Sequence, residues 1–527
     1  MNLVTRLQQQ TAQHGDQAAI VQGDGQAVTF SQLEERSGQT AAMFRDAGLG
    51  QGDRVVVLAP MSIDLYVVLI ALWRLGASAM IVDPGGGLAH VRRGCKRLQP
   101  TGLVGVARAH ALRAAVPSLR RVKRAWCIDR WLPMTGRYNA WRRYPHDPAI
   151  TTLRPDTPAL VTFTSGSTGE PKAAVRTHGF LMRQHEVLSR SIDLAPGQVD
   201  LATLAVFALA NLASGVTTLI PDADLRRIGH IDPEPVWRQM QQHKPSRCTA
   251  SPAFFERLLT LNRPMPWFEH VCTGGAPAFA SLLDRLAHAC PNARVTAVYG
   301  STEAEPIAEL CANSLGEAER RTIREGGGLP AGRPIDAISL RIVEDRSGDS
   351  LPQVSPVAFD AMTQPAGQAG EIVVSGLHVL RGYLDGQGDE QTKIHVGAEV
   401  WHRTGDAGRL DDQGRLWLLG RASAKVVDDR GVVYPLAVEA AADQALFEQD
   451  LGNENFVRTA FVLHHGRRTL VVQTTDPKPA RLANRLREPL AWAGIERVLC
   501  APRIPVDRRH NAKIDYLGLR RWLAKQR

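Results

Sequence analysis

The sequence predicts an α/β fold with more than one domain, and three observations support this. Apolar runs of strand length, as at residues 54–59 and 78–82, alternate with segments of helical length, as at residues 62–75. Strands that alternate with helices are typical of a parallel sheet covered by helices. The 527 residues exceed what one hydrophobic core usually holds. The sequence contains no evident repeat of about 20 to 50 residues, which would have indicated a solenoid.

Local signals predict individual elements along the chain. Ser31 and Glu34 form a capping-box pattern, which predicts that a helix begins there and runs to about residue 47. Another helix is predicted at residues 178–191, and a turn at residues 411–414 predicts a β-hairpin. Residues 344–370 are rich in Ser, Pro, Gly and Asp, and we expect a flexible insert there.

The charge and the aromatic residues bear on the choice of partner. The formal net charge is +10, and arginine is densest at residues 108–143, beside three tryptophans. Such a stretch can bind nucleic acid, but a solvated face over inward-packed tryptophans is more common. Because no recognised nucleic-acid motif accompanies the charge, we expect no nucleic-acid partner. A positive field also favours small anionic substrates.

The sequence shows no sign of secretion or membrane insertion. The first 16 residues contain no apolar run of the kind a signal peptide has. The most apolar segment, residues 63–75, is too short to span a bilayer and contains Asp64 and Arg74. Seven cysteines with no C-x-x-C pair argue against a disulfide framework and against a zinc site. We therefore expect a cytoplasmic protein with no transmembrane segment.

A hydroxyl-rich loop follows the apolar run at residues 159–163. Its glycines would expose backbone N–H groups that form an anion-binding concavity, and its hydroxyl groups could donate to phosphate oxygens. A lysine would add a mobile positive charge for the outer phosphates. A polar surface loop explains the composition equally well, and the spacing differs from that of the P-loop. The candidate phosphate-binding residues are Thr164, Ser165, Gly166, Ser167, Thr168, Gly169 and Lys172.

Two further motifs place polar side chains beside strand-like runs. In residues 295–303 an apolar strand would deliver Tyr299, which can stack on a purine. Thr302 can hydrogen-bond a carboxylate or a phosphate, and Glu303 can hold Mg²⁺. Glu303 could instead be a carboxylate at the start of a helix. The second motif is residues 401–406. Asp406, at its end, could simply be an aspartate in a β-turn.

Taken in order, these motifs resemble those of the adenylate-forming superfamily, which includes acyl-CoA synthetases, luciferases, non-ribosomal adenylation domains and β-lactone synthetases. The resemblance covers nearly the whole chain. It implies an α/β fold with a large, multi-subdomain N-terminal adenylation domain at residues 1–422. A small, mobile C-terminal α/β lid domain would follow at residues 423–527. Ala173, the hinge residue Ser423 and Ala512 depart from the residues usual in the family.

The resemblance also implies a site for ATP and Mg²⁺. The hydroxyl-rich loop would bind the phosphates, a glycine turn would lie against the adenine, and Tyr299 would stack on it. Asp406 would accept hydrogen bonds from both ribose hydroxyls. Catalysis is assigned to Lys513, Thr302 and Glu303, of which Glu303 is also the metal ligand. The remaining nucleotide-site residues are Gly274, Gly275, Ala276, Gly300, Ser301 and Arg421.

The implied reaction is the activation of a carboxylic acid by ATP, which gives an acyl-adenylate and pyrophosphate. Lys513 would bridge the substrate carboxylate and the α-phosphate as negative charge develops. In thioester-forming members the small domain then rotates, and a loop with K-x-x-G meets the adenylate. Here Val427 occupies the lysine position and Arg430 displaces the glycine, which puts thioester chemistry in doubt.

Residues 206–224, 401–421 and 508–514 resemble more specifically the β-lactone synthetases of olefin and β-lactone pathways. In that group the hydroxyl of a 3-hydroxy fatty acid attacks its own activated carbonyl and closes a β-lactone. The alternatives are an acyl-CoA or acyl-carrier-protein ligase and a catalytically inactive nucleotide- or acyl-binding module. The expected partners are a small carboxylic acid, fatty or 3-hydroxy fatty, and other enzymes of a fatty-acid, olefin or β-lactone pathway. Phe207 and Asn211 would line the acyl pocket.

Overall fold

The chain forms two compact units that both combine sheets with packed helices, which confirms the predicted α/β class. In the computed structural model, the described residues are 2–82, 87–165, 171–351, 353–449, 456–474, 479–507 and 513–525. The first unit comprises Met1–Arg226, Asp232–Thr249 and Leu377–Gly388, and the second comprises Arg227–Ile231, Ala250–Gly376 and Asp389–Arg527.

The first unit contains mostly parallel strands. They are β1 (Ala18–Val21), β2 (Ala27–Thr29), β3 (Arg54–Leu58), β4 (Ser78–Ile81), β5 (Gly102–Gly105), β6 (Arg124–Cys127), β7 (Gly136–Arg137), β8 (Pro158–Ser165), β9 (Pro171–Thr177), β10 (Val199–Ala202), β11 (Thr217–Leu219) and β12 (Arg247–Ala250). One sheet has the order β7-β6-β5-β3-β4-β8-β9, with only β8 and β9 antiparallel among these strands. A second group runs β2-β1-β11-β10-β12, with β1 and β2 antiparallel and the other pairs parallel.

Helices cover these strands. They are α1 (Val4–His14), α2 (Phe30–Asp46), α3 (Ile63–Arg74), α4 (Leu88–Leu98), α5 (Ala107–His110), α6 (Leu112–Ala115), α7 (Pro117–Arg120), α8 (His178–Ser191), α9 (Ala205–Ala213) and α10 (Pro233–His243). Helix α3 is buried on nearly all sides, as expected for a helix that is apolar all round. Its last residue, Arg74, is fully buried, pairs with Glu34 of α2 and donates to the carbonyl of Asp147 at 3.1 Å.

The start of α2 differs from the prediction. Its N-cap is Thr29, whose hydroxyl accepts from the N–H of Gln32 at 3.1 Å, while the Gln32 side chain accepts from the N–H of Thr29 at 3.1 Å. The predicted capping box of Ser31 and Glu34 is therefore wrong. Both pairs have the required spacing, but Glu34 turns inward and pairs with Arg74.

The second unit contains mostly antiparallel strands. They are β13 (His270–Gly274), β14 (Arg294–Ser301), β15 (Ala304–Cys311), β16 (Leu329–Pro334), β17 (Ser339–Val343), β18 (Gln353–Val354), β19 (Gly370–Ser375), β20 (Lys393–Val396), β21 (Glu399–Leu410), β22 (Leu416–Arg421), β23 (Val426–Asp428), β24 (Gly431–Val433), β25 (Phe456–His464), β26 (Arg467–Thr474) and β27 (Arg497–Ala501). The main order is β17-β19-β21-β22-β16-β15-β14-β13, in which β13 and β14 are parallel and the other pairs are antiparallel.

The helices of the second unit are α11 (Pro252–Leu259), α12 (Ala280–Ala289), α13 (Glu317–Arg324), α14 (Pro356–Met362), α15 (Asp389–Thr392), α16 (Pro435–Glu448), α17 (Pro479–Arg487) and α18 (Tyr516–Leu523). Helix α14 and strand β18 lie within the segment whose composition predicted a flexible insert. Phe359 of α14 is buried, and its ring centroid lies 5.0 Å from that of Trp401. The segment predicted to be a flexible insert therefore contains a short helix that one aromatic side chain anchors to β21.

The chain after residue 423 forms a small α/β layer. Its sheet has the order β25-β26-β27. Phe461 of β25 packs with α16 and α17 on one face, while Ala460 and Val462 pack with α18 on the other. Side chains of a strand alternate between the two faces, so this one strand supplies both cores.

The tryptophans of the arginine-rich segment differ in burial. In the arginine-rich segment, Trp126 is buried and packs on Phe44 with ring centroids 4.6 Å apart, but Trp131 is 57% exposed. Inward packing therefore holds for Trp126 and fails for Trp131. Among the described residues, every helix is too short or too polar to cross a membrane.

Candidate active site

Three of the predicted nucleotide-site residues meet around the carboxylate of Asp406. The Tyr299 hydroxyl, at the end of β14, donates to Oδ2 of Asp406 at 2.9 Å, and Nε of Arg421 lies 3.3 Å from Oδ1. Strands β21 and β22 pair so that Asp406 stands opposite Arg421. Burial, and next the Asp406 carboxylate, raise the pKa of Tyr299 well above its ordinary value, so the phenol stays a donor. An ionised carboxylate has about four acceptor positions, so Asp406 can still accept from the hydroxyls of a ligand.

Thr404 fixes the position of Asp406 and was not predicted. Its hydroxyl accepts from the N–H of Asp406 at 3.1 Å and donates to the carbonyl of Ile372 at 2.9 Å. The Thr404 carbonyl accepts from Nη1 of Arg421 at 3.0 Å. The sequence signal was its place two residues before the aspartate, since a threonine there can form a local turn with the following N–H group.

A glycine turn lies beside Tyr299. Strand β13 runs parallel to β14, with Gly274 opposite Val298. A Cβ on Gly274 would lie 2.8 Å from the carbonyl oxygen of Val298, and Gly275 has φ +82°. Both positions thus require glycine. The predicted turn, which includes Ala276, follows the carboxyl end of a parallel strand, where ligands of α/β proteins commonly bind.

The turn between β14 and β15 presents Thr302 and Glu303. The hydroxyl of Ser301 accepts from the N–H of Glu303 at 3.2 Å and from that of Ala304 at 3.3 Å. A Cβ on Gly300 would lie 3.1 Å from the carbonyl oxygen of Ala304. Because strand β15 follows directly, Glu303 is not at the start of a helix. Its side chain is 8% exposed, whereas Thr302 is half-buried.

The predicted Mg²⁺ site offers few protein ligands. In the part of the chain that the structure describes, no group of three or more His, Cys, Asp or Glu residues is placed to hold a metal ion. Mg²⁺ in nucleotide enzymes is usually bound by one or two carboxylates together with phosphate oxygens. A single buried carboxylate, Glu303, is compatible with that mode of binding.

The predicted phosphate loop joins two antiparallel strands. Gly166, Ser167, Thr168 and Gly169 lie outside the described residues. On the flanking strands, the backbone of Thr164 is paired with that of Lys172, and that of Ser165 with that of Pro171. The loop is therefore the connection of a β-hairpin, whereas a P-loop leads from a strand into a helix.

The Lys172 side chain is buried against its neighbours, whereas the sequence predicted a mobile positive charge. Its side chain is 5% exposed, and its ammonium group lies 5.8 Å from the ring centroid of Tyr383. Gly388 stands against its methylene stem, because a Cβ there would lie 2.7 Å from the lysine Cε. Its role as a phosphate ligand stays a prediction. Tyr383 belongs to the Arg-Gly-Tyr segment at residues 381–383, to which the sequence assigned no function.

Hydrogen bonds to Asp507 fix the backbone of Lys513. Its N–H donates to Oδ1 of Asp507 at 2.9 Å, and its carbonyl accepts from the N–H of Asp507 at 2.8 Å. Val506 and Ile514 form an antiparallel bridge beside these bonds. Residues 508–512, which include the atypical Ala512, lie outside the described residues. The lysine side chain is half-buried.

The hairpin of β23 and β24 contains Val427 and Arg430, the two positions at which the sequence departs from the expected lysine loop. The carboxylate of Asp428 accepts hydrogen bonds from Nε and Nη2 of Arg468, at 2.7 and 2.6 Å. Nη2 of Arg430 donates to Oε2 of Glu496 at 2.9 Å. Val427 and Val432 form a cross-strand pair, 54% and 52% exposed. The hairpin thus has ion pairs at its turn and an exposed valine pair next to that turn.

The expected acyl-pocket residues have other partners. Asn211 is fully buried, and its amide donates to Asp200 at 2.9 Å and to Thr218 at 3.3 Å. Phe207 packs inward. The opposite side of α9, with Val206, Leu209 and Ala213, lines an apolar cavity of about 80 Å³. Helices α1, α3 and α8 close the rest of this cavity.

Comparison with known proteins identifies the family of this chain. The family model described as AMP-binding enzyme matches residues 7–384. An olefin beta-lactone synthetase of Stenotrophomonas maltophilia is 30% identical to this chain over 557 aligned positions, which cover 100% of this chain and 98% of that protein. An olefin beta-lactone synthetase of Xanthomonas campestris is 30% identical and covers 95% and 91%.

A solved structure agrees with the fold. The ATP-bound MatB of Rhodopseudomonas palustris superposes with a TM-score of 0.80 at 19% identity, over 100% of this chain and 99% of that one. This likeness confirms the predicted α/β architecture with a large N-terminal and a small C-terminal domain. The boundary at residue 423 stays a prediction. The chain belongs to the AMP-binding enzyme family and is an adenylate-forming enzyme.

Proposed function

We propose that this enzyme activates a 3-hydroxy fatty acid with ATP and then closes it to a β-lactone. The observation that carries the proposal is the 30% identity to an olefin beta-lactone synthetase along the entire chain. The small-molecule substrate is a carboxylic acid, as expected for an adenylate-forming enzyme. Other enzymes of a fatty-acid, olefin or β-lactone pathway would supply the acid and consume the product. The odd number of cysteines, seven, favours a cytoplasmic location.

The first step forms the adenylate. A carboxylate oxygen attacks the α-phosphorus of ATP, and the bond to the pyrophosphate oxygen breaks. Asp406 would hold the ribose hydroxyls, and the turn at Gly275 would lie against the adenine. Lys513 would stabilise the charge that develops between the carboxylate and the α-phosphate, while Thr302 would orient the carboxylate. Bound through Glu303, Mg²⁺ would neutralise charge on the phosphates.

The second step closes the ring. The oxygen of the 3-hydroxyl attacks the activated carbonyl carbon, the bond from that carbon to the phosphate oxygen breaks, and AMP leaves with the electron pair. The hydroxyl proton passes to solvent. The step needs no second substrate, and the hairpin of β23 and β24 supports this. Arg468 holds its turn, and the exposed Val427 stands at the position where the resemblance expects a lysine in thioester-forming members.

A product assay with matched acids tests the proposal. The enzyme is incubated with ATP and Mg²⁺ and either a 3-hydroxy fatty acid or the unsubstituted acid of the same chain length, with and without CoA. We expect AMP and a neutral product, lighter than the hydroxy acid by one water, without CoA. The unsubstituted acid should give adenylate and no neutral product.

Dependence of turnover on CoA or on a carrier protein would contradict the proposal. A thioester product would then make the enzyme an acyl-CoA or acyl-carrier-protein ligase. Failure of both acids to yield AMP at every chain length would favour the inactive binding module.

A further inference from the structure

One carboxylate joins the chain after the predicted hinge to the rest of the second unit. Oδ2 of Asp345 accepts from the Tyr434 hydroxyl at 2.7 Å and lies 2.9 Å from Nζ of Lys425. The Asp345 side chain is 9% exposed. Both donors follow Ser423 within about a dozen residues, whereas Asp345 follows β17. Hydrogen bonds to an ionised group are about twice as strong as neutral ones, so these contacts are suited to hold two segments together.

The loop that carries Asp345 is itself held in place. Arg403 is buried, pairs with Glu371 at 2.6 Å and donates to the carbonyls of Asp349 at 2.6 Å and Arg346 at 2.8 Å. Arg403 lies on β21, three residues before Asp406. The strand that presents the candidate ribose ligand therefore also fixes the loop of Asp345.

Further contacts fix α16 on the same side. Oδ2 of Asp443 accepts from the Ser281 hydroxyl of α12 at 2.6 Å. Oε1 of Glu448 accepts from Nη1 of Arg324 of α13 at 2.5 Å. Leu436 packs against Gly420, since a Cβ on that glycine would lie 3.0 Å from the leucine Cβ. Helix α16 is thus fixed at its start, its middle and its end.

The position of α16 determines where the loop of Lys513 begins. Val438 and Leu446 of α16 pack on one face of the β25-β26-β27 sheet. Ile514, next to Lys513, packs on the opposite face with Ala460 and Val471. Close-packed cores transmit displacement because they contain few voids. A shift of α16 would therefore carry the backbone of Lys513 with it.

We propose that Asp345, Tyr434 and Lys425 form a latch that holds the segment after Ser423 in the arrangement used for adenylation. Asp345 and Tyr434 are then positioning residues for Lys513, and they touch neither ATP nor acid. A latch of this kind suits an enzyme that completes its reaction without a second orientation of its C-terminal segment. The latch concerns adenylation alone and does not depend on the fate of the adenylate.

Trypsin tests the latch on the substrate-free protein. Two cleavage sites, Lys425 and Arg430, lie in the segment that the latch holds. Tyr434→Phe removes one hydroxyl, and Asp345→Asn removes the charge. We expect cleavage at these sites to become about tenfold faster in either variant, because a hydrogen bond to a charged group is worth roughly a factor of 10 to 100. The matched control is Glu344→Gln, an exposed neighbour that pairs with Arg346 at the surface.

ATP–pyrophosphate exchange tests the positioning role. In the two latch variants we expect kcat to fall about tenfold while KM for ATP is unchanged, and Glu344→Gln should behave as wild type. Loss of ATP binding together with a fall in kcat would indicate general damage and overturn the assignment. Unchanged rates of proteolysis and of exchange in Tyr434→Phe would also overturn it. Exchange precedes any product, so a failed lactone assay leaves this result intact, and the trypsin result stands without a known substrate.

Discussion

At the residue scale, the candidate site depends on contacts that sequence separation conceals. Tyr299 and Asp406 are 107 positions apart, yet their side chains bond at 2.9 Å. Local patterns predicted each residue at a strand or a turn, because apolar runs and glycines are local signals. They could not predict that the tyrosine hydroxyl contacts the aspartate, since that contact depends on the order of β13, β14, β21 and β22 in the sheet.

The proposed ribose role of Asp406 can be tested by Asp406→Asn. The amide keeps the shape and loses the charge, so we expect KM for ATP to rise about tenfold or more, as for loss of a hydrogen bond to a charged group. ATP–pyrophosphate exchange measures it. Asp412→Asn, in the exposed turn before β22, serves as the control. An unchanged KM in Asp406→Asn would remove this residue from the nucleotide site.

The proposed catalytic role of Lys513 predicts a different pattern. Lys513→Ala removes a charge that is needed as negative charge develops, so we expect kcat of exchange to fall about 10²–10³-fold. ATP binding, measured by calorimetry, should be retained. Lys525→Ala, near the end of the described chain, is the control. An active Lys513→Ala variant would rule out this lysine as the catalytic group.

At the element scale, two departures from the local sequence pattern share one cause. Thr29 and Ser31 both precede a Gln or Glu by three residues, and only packing decides between them. Glu34 is drawn inward by Arg74, so Thr29 becomes the cap. Likewise, part of the polar segment after β17 forms a helix, whose Phe359 packs on Trp401. In each case a contact with a distant element overrides the local pattern.

The pair between α2 and α3 predicts a large effect on stability. Glu34→Ala would leave Arg74 fully buried without its carboxylate, and breaking one side of a buried pair costs about 3–5 kcal/mol. Urea unfolding measures this change. Glu35→Ala, one residue further along and exposed, should change the free energy of unfolding by less than about 0.5 kcal/mol. Equal effects of the two substitutions would contradict a structural role for the pair.

The contact between α16 and α12 predicts a pH dependence. Burial raises the pKa of Asp443 to about 7, against the opposing effects of the Ser281 hydroxyl and of Arg285, while Glu256 of α11 adds to the rise. A carboxyl whose pKa is raised in the folded state stabilises it most at low pH, and this stabilisation is lost as the pH rises through about 7.

We therefore expect wild type to lose about 1 kcal/mol of unfolding free energy relative to Asp443→Asn between pH 6 and pH 8. Urea titrations of both proteins at each pH measure the difference. Burial raises the pKa of Glu439 to about 7 as well, but this residue is present in both proteins and cancels. Parallel pH curves for the two proteins would show that Asp443 is ionised throughout.

At the scale of the whole molecule, the order of motifs along the chain predicted the family, the α/β class and the adenylation chemistry. Each motif is short, so its residue types indicate its chemistry locally. The fate of the adenylate is harder to predict, because it was inferred from a subfamily resemblance and not from the chemistry of a motif. The sequence also missed Asp345, since a lone aspartate in a polar segment has no distinguishing pattern.

Lactone closure is the central claim, and isotope labelling of the 3-hydroxyl tests it most directly. A β-lactone and the alkenoic acid formed by simple dehydration have the same mass, so mass alone does not separate them. With ¹⁸O in the 3-hydroxyl, ring closure keeps the label in the neutral product, and dehydration loses it as water. We predict full retention of ¹⁸O in a product formed from ATP and the acid without CoA. Loss of the label, or a labelled thioester that forms only with CoA, would contradict the account.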